Sequence, residues 1–569
     1  MAKIPDKFYK DFSGGIRRDK SPYDLKDNEL QRGRNFEIDE GGRIRKRRGS
    51  ILFGQNGVSS IGKFYHSSHG LFAAAFTNPT VVYKLKNAVN EAALTTASTT
   101  IAFEPDGQFD ASGTVEINGD PIAYTGGGDS SGTLTGVTGI AANIAAWSPM
   151  NQWQTIGTMT GHIGTSGVWF SFLNDRTIIL SNESTAASDI STYDGTTIAA
   201  VSGEPQGTQF LENFRDRIFT VGRDTNIVYY SNLGDATSWP ATVANNSFEI
   251  EDDTGEYISG IKQYRKNLLV FKPAALYAYS GSLPIRQLSR YFGIHNDACI
   301  QEINGLLYGF GSNGVWVSNG VSFKKIDKPV KEYLKQVIWA INSSSVPISR
   351  IKTAQWEDKF IIYINTLSEE PDTLSAINQF SLVYDTKKGS WETIDGMTAP
   401  NALGYLTNFR AGGASLLQNR PILLFSDGTN IYRAYENRVM TRQQTGNTGN
   451  LKGNDVYSDL LINITNTDIT MNVVTKPFDL GLPNYSKQFG YLKVFCEKPQ
   501  GMHISAIIDD GDPIPLGQCT KRVNRFKFPA NTKGTRCTVV IDESSSTQSC
   551  VFNGCVFEEC VTVNQNVRG

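Results

Sequence analysis

Apolar and polar positions alternate along most of this 569-residue chain in short runs, many of them ended by a tight-turn pair such as Asn-Gly or Ser-Gly. The pattern is plainest in residues 257–320, where two similar units follow one another. The first, 257–282, reads as a strand, a polar turn at Arg265 to Asn267, the apolar run Leu268-Leu-Val-Phe271, then Leu276-Tyr-Ala-Tyr279 and a Ser280-Gly281 turn. The second, 298–326, repeats that order with turns at Asn304-Gly305, Asn313-Gly314 and Asn319-Gly320. Runs of four to six residues rich in β-branched and aromatic side chains, closed by residues that tolerate positive φ, predict antiparallel hairpins. One such meander cannot bury both of its faces, so a series of them must stack.

The same arrangement recurs at 166–201, 209–239, 352–391 and 403–435, a period of about 40 residues, and three short strands stand between 61 and 85. Gly195, Gly281 and Gly320 occupy equivalent turns, 86 and 39 residues apart, or two repeats and one. Six units and the early strands make about seven, which predicts an all-β chain with a β-propeller over 51–86 and 154–436. A stacked pair of β-sandwiches is the alternative. The single helix expected, 330–340, would pack on the rim, and Tyr277, Tyr279 and Trp316 read as packing between blades.

Three regions depart from the repeat. Between Asn87 and Asp175 there is no Lys or Arg, and 113–135 alternates around Asn118-Gly-Asp120, which predicts a small β domain, 87–153, inserted into a loop. Residues 437–456 are almost devoid of apolar side chains and read as a linker. Beyond it, 457–569 holds seven expected strands (460–464, 469–474, 489–495, 503–508, 522–528, 537–541 and 556–563) and reads as a C-terminal β-sandwich. The first 50 residues carry 14 Lys/Arg against 9 Asp/Glu and few apolar pairs, and they end in Arg43-Ile-Arg-Lys-Arg-Arg48. They read as an extended basic arm. Arg17, Arg18, Arg43, Arg45, Lys46, Arg47 and Arg48 are its candidates for docking on a neighbouring subunit, with phosphate contact and plain solvation as alternatives.

Composition narrows the classes. A net charge of −2 excludes a histone-like nucleic-acid binder, and no run of 18 apolar residues is present to span a membrane as a helix. The N-terminus lacks an apolar signal region, so synthesis in a cytoplasm is expected. Six of the seven cysteines lie in the last 74 residues without a CxxC pair, open to reading as buried thiols, as late disulfides or as a metal site. His66 and His69 are close but have no nearby carboxylate, and a turn is the simpler reading.

Catalytic signatures are absent. The acidic run Phe248-Glu-Ile-Glu-Asp-Asp-Thr-Gly-Glu256 lacks the spacing of a calcium loop and reads as a loop feeding the next strand. Asp235-Ala-Thr-Ser-Trp239 and Thr386-Lys-Lys-Gly-Ser-Trp391 only approach the repeated boxes of sialidase-type propellers. No nucleophile elbow, phosphate loop, zinc-protease motif or dinucleotide fingerprint occurs. The reading is a structural or interaction protein, not an enzyme, with no cofactor.

Several segments resemble the β-propeller tail hub or nozzle proteins of short-tailed bacteriophages, also called packaged-DNA stabilisation proteins. They are Asp11-Phe-Ser-Gly-Gly15, Ser21-Pro-Tyr-Asp-Leu25, Asn35 through the basic run to Gly49, Thr254 to Ile261 with Asn267 to Pro273, and Ser312-Asn-Gly-Val-Trp316. The insertion resembles a small module common in phage tail proteins, and Thr475 to Gly481 a distal sandwich. The resemblance implies a virion protein made in the bacterial cytoplasm. It implies a homo-oligomeric ring of six below portal and adaptor, next to tail-fibre or tail-spike proteins, that retains double-stranded DNA and passes it at ejection. A receptor-binding or glycan-degrading tail propeller is the competing class.

Overall fold

In the computed structural model, the strand ladders form a seven-bladed β-propeller joined to a two-sheet sandwich. The structure describes residues 2–47, 49–54, 58, 61–75, 77, 79–104, 109–117, 119–129, 131–146, 148–159, 167–181, 190–240, 246–252, 255–335, 351–364, 380–395, 402–406, 422–426, 430–434, 458–459, 467–497, 499, 501–543 and 550–563. The linker expected at 437–456, the strand at 460–464 and Arg48 lie outside the described residues; of the expected helix, 331–335 is helical and 336–340 lies outside them.

Blade 1 is Ile61–Ser67, Gly70–Ala75, Thr80–Asn90 and Pro149–Met159. Blades 2 to 5 follow as four-stranded meanders that begin at Val168, Thr208, Gly260 and Ile300, and blade 6 begins at Lys352. The hairpins are those the turn residues require. Asn304 and Gly305 both have positive φ (52° and 73°), the type I′ geometry whose twist matches the strands it joins. First strands of successive blades contact one another from blade 1 to 4 and from blade 5 to 7, blades 4 and 5 share one apolar cluster, and the seventh returns to blade 1, so the ring is closed. Buried aromatics from neighbouring blades fill the space between them. Trp316 and Trp391 also donate their indole N–H groups to the carbonyls of Gly293 (2.8 Å) and Ile326 (3.0 Å), so these rings are buried without an unsatisfied donor.

Closure comes from the other end of the chain. Blade 7 consists of Ala402–Leu406, Ile422–Ser426 and Ile431–Ala434, and its fourth strand is Ile51–Leu52. The next residues are locked in turn: Phe53 N–H donates to the Ile431 carbonyl (2.8 Å), and the Trp153 indole donates to the Phe53 carbonyl (3.0 Å).

The inserted module grows from the ends of two blade 1 strands, because Thr80–Asn90 and Pro149–Met159 run unbroken from propeller to insertion. It has its own core around Ile101, Phe103, Ile117 and Leu134. Its Glu116 is fully buried and reaches back to the closure segment, accepting from Gly54 N–H (3.2 Å), Gly119 N–H (2.5 Å) and Asn151 Nδ2 (2.8 Å).

The first fifty residues are not a free arm. Lys7–Tyr9 and Ile44–Lys46 pair with Val551–Glu558, and Phe36–Ile38 extends that sheet. Gly15–Ile16 and Glu29–Arg34 join the facing sheet against Met471–Thr475. Half of one six-stranded sheet and a third of the other thus come from the N-terminus. Ile4, Tyr9, Phe12, Ile16, Leu30, Phe36, Ile38 and Ile44 are all buried in the sandwich core. Each such side chain is worth about 1.5–3 kcal/mol when fully buried, so together they outweigh the charge around them.

Two predictions follow from this architecture. Lys46 and Glu543 lie on opposite sheets, both wholly inaccessible, with Nζ and Oε2 2.5 Å apart. Lys46→Met should cost about 3–5 kcal/mol in urea unfolding by leaving a buried carboxylate unpaired, whereas Lys46→Met with Glu543→Leu should recover most of that. Equal losses in the single and double variants would contradict the pairing. For Glu116, burial drives the carboxyl up from its ordinary 4.5, with Arg433 and the hydrogen bonds opposing. A raised folded value means that stability from this group is present at low pH and lost as pH rises above the unfolded value. Glu116→Gln should therefore gain stability relative to wild type as pH rises above 4.5; a difference that stays constant with pH would refute it.

Candidate functional sites

Six of the seven basic residues expected to dock on a neighbour can be placed. Arg17 bonds Asp19 (2.8 Å) and faces Glu29, while Arg18 lies over the Tyr333 ring, its N–H on the Pro329 carbonyl. Arg43 bridges Asp39 (2.6 Å) and Glu497 (2.7 Å). Lys46 is the buried partner of Glu543, and the buried Arg47 donates to Asn35 Oδ1 (2.8 Å). Arg45 lies in the ladder opposite Val551. Lys46 and Arg47 are thus structural cations inside one subunit, and only Arg17, Arg18, Arg43 and Arg45 keep part of their surface in solvent.

The same segment joins sandwich to propeller. Asn35 N–H donates to the Thr393 carbonyl (3.1 Å), and Ile38 N–H donates to Glu392 Oε1 (2.8 Å). Thr393 Oγ1 donates to the Gly33 carbonyl and Lys388 Nζ to the Ile38 carbonyl. Glu392 is fully buried and also takes Lys359 Nζ (2.7 Å), so the last strand of blade 6 presents a compensated charge to the N-terminal strands.

A second site lies at the mouth of the propeller channel, where the first strands bring charges together that the sequence scatters. Lys63 of blade 1 reaches across to Asp297, which precedes blade 5 (Nζ to Oδ2, 3.1 Å), and Trp169 of blade 2 donates its indole N–H to the same oxygen (2.8 Å). Burial drives the Glu212 carboxyl of blade 3 up, against the pull of Lys262 and Lys63. Burial also drives the Lys352 ammonium of blade 6 down, and Lys63 adds to that. Each of these residues stands alone in its own repeat, and only the closure of the ring reveals the cluster.

A third feature is an open cleft of about 920 Å³ on blades 3 and 4, lined by Glu249, Glu251, Asp252, Tyr277, Gln287 and Arg290 over an apolar floor that includes Ile250 and Ala275. Asp252 is held by Lys272 Nζ (2.7 Å) and Tyr277 OH (2.5 Å), so the acidic run is a cleft wall. Tyr291, Leu283 and Tyr257 are 71%, 67% and 54% exposed in the same part of the chain. The cleft was illegible from sequence because its walls come from two blades.

No group of three or more His, Cys, Asp or Glu suited to a metal occurs among the described residues. His69 instead contacts Thr177 Oγ1 (3.2 Å) and packs edge-on against Phe172 and Tyr193. All seven cysteines are free thiols and buried. Burial pushes Cys299 and Cys555 up to about 12, while a hydrogen bond with the Cys519 thiol holds Cys496 below its ordinary value.

No protein-family profile and no curated protein matches the chain. Among solved structures it is similar to the computationally designed Ika8 protein (11% identity, 68% of this chain and 100% of that one, TM-score 0.35). It is also similar to the Pan2 WD40 domain of Neurospora crassa (10%, 68% and 95%, TM-score 0.31) and to AztD from Citrobacter koseri (10%, 62% and 95%, TM-score 0.28). Likenesses at this level carry no functional argument, and the propeller rests on the ladders described above.

The thiols give a direct test. In the native chain none of the seven should react within minutes with an aromatic disulfide reagent, and all seven should react in denaturant. Rapid native reaction of Cys496, the thiol with the lowered value, would show that its burial is breached in solution.

Proposed function

We propose that this chain is a structural protein of a short-tailed phage tail, forming a ring that continues the DNA channel and retains the packaged genome until ejection. What carries the reading is the resemblance of the N-terminal segment, together with the work its residues do here. Phe12 and Phe36 fill the sandwich core, and Asn35 ties the Thr393 and Thr470 carbonyls, so the resembling residues hold two domains in one arrangement. Such a joint suits a part that bears load in a larger assembly. Near-neutral overall charge also suits a wall along which DNA must slide, since a strongly basic wall would gain affinity with every phosphate contact. In this reading the lumen lies between subunits, because the Lys63–Asp297 pair and Trp169 occupy the mouth of the propeller's own channel.

The cleft on blades 3 and 4 favours a second reading, a receptor-binding or glycan-degrading propeller, since carboxylates, an Arg and a tyrosine lining a concavity suit a polar ligand. Native mass spectrometry of the purified chain and cryo-electron microscopy of virions separate the two. The first reading expects a ring, six subunits by the resemblance, on the tail axis. A monomer at micromolar concentration that is absent from virions would overturn it, and turnover in a polysaccharide depolymerisation assay would establish the second.

A further inference from the structure

We propose that two exposed sheet edges of this chain join successive copies head to tail, the acidic outer edge of blade 3 in one copy meeting the basic outer edge of the sandwich in the next. This deepens the ring reading and rests on it. Ser247–Glu249 ends the blade 3 sheet and Val523–Lys527 ends one sheet of the sandwich, so each has a ladder partner on one side only among the described residues. A strand edge of this kind admits another strand unless something covers or repels it. The acidic edge runs one residue further, since Ile250 N–H donates to the Asn226 carbonyl (2.9 Å).

Charge decides which strand each edge admits. On blade 3, Glu249 and Glu251 are exposed and Ile250 between them is buried, the two-residue period that puts both carboxylates on one face. On the sandwich, Val523, Arg525 and Lys527 are exposed and Asn524 is buried, with Lys521 and Arg522 exposed just before them. Arg525 is already held by Glu558 (2.7 Å) and Glu559 (2.5 Å), whereas Glu249, Glu251, Lys521, Arg522 and Lys527 make no ion pair among the described residues. Like charges along an edge repel a second copy of that edge, and opposite charges across a strand pair attract the other one. Apolar surface agrees with this pairing. The acidic edge forms a wall of the cleft on blades 3 and 4, where Leu283 is 67% exposed, and Val523, 47% exposed, is the apolar side chain that the basic edge presents to it. A contact between two different patches is heterologous, and repeated about an axis it closes into a ring.

The test uses the full chain, isotopically light and heavy copies assembled together at micromolar concentration, and a zero-length carbodiimide that joins a carboxylate to an amine in contact with it. Native mass spectrometry should show the ring, and peptide mass spectrometry should show light-to-heavy amides between Glu249 or Glu251 and Lys521 or Lys527. That readout needs no variant to fold. Glu249→Lys with Glu251→Lys should raise the concentration needed for assembly at least about tenfold, as should Lys521→Glu with Lys527→Glu, and a chain carrying both reversals should assemble again. Rings that form without these light-to-heavy amides, or that neither reversal weakens, would overturn the contact and leave the ring reading standing. A glycan or a basic segment of another protein seated in the cleft would give that same result. A chain that stays monomeric would overturn both.

Discussion

Closure of the propeller by Ile51–Leu52 is the constraint from which the rest of the molecule follows. A ring of meanders has one seam, and an open seam exposes an unpaired strand edge and the apolar faces of two blades. Here the strand that closes blade 7 is drawn from the start of the chain. The residues before it cannot then be a loose tail, because they are consumed within a few positions by the sandwich ladders at Ile44–Lys46 and Phe36–Ile38. The seam of one domain and the core of the other are the two ends of one short segment, so neither can open without straining the other.

This coupling explains where the buried charges sit. Lys46 with Glu543 joins the two sheets of the sandwich, Glu392 with Lys359 lies beneath the N-terminal strands on blade 6, and Glu116 joins the insertion to the closure segment. Buried ion pairs add little net stability against apolar packing, but they tolerate only one register of the parts they join. A strand of two or three residues is held weakly by its own ladder and slips at small cost. Placing a partnered charge at each such junction makes every wrong register leave a charge unpaired.

The repeats were legible because their information is local. The Asn304-Gly305 turn requires positive φ at both residues and has it, and the short apolar runs Leu306–Gly311 and Gly314–Ser318 on either side of the next turn are strands buried on both faces. The N-terminal segment was not legible, since its strands are two to six residues long and three of the five pair with partners more than 400 positions away. Its apolar residues occur one or two at a time, each reading as a solvated exception among charges. The run Arg43-Ile-Arg-Lys-Arg-Arg48 reads as a uniform field, yet strand alternation buries Ile44 and Lys46 and leaves Arg45 half-exposed. The basic pattern was real, and the face each cation takes was set by a partner sheet that no local window contains.

The channel follows the same logic. Each blade contributes one first strand to the axis, so any charge placed there meets charges from blades that are distant in sequence. Lys63, Trp169 and Asp297 satisfy one another across the axis. Glu392 and Lys359 do the same at the domain joint, where a charge from one element takes its partner from another. A charge on a first strand therefore acts on the ring as a whole, since Lys63 and Asp297 meet only when blades 1 and 5 are both in place.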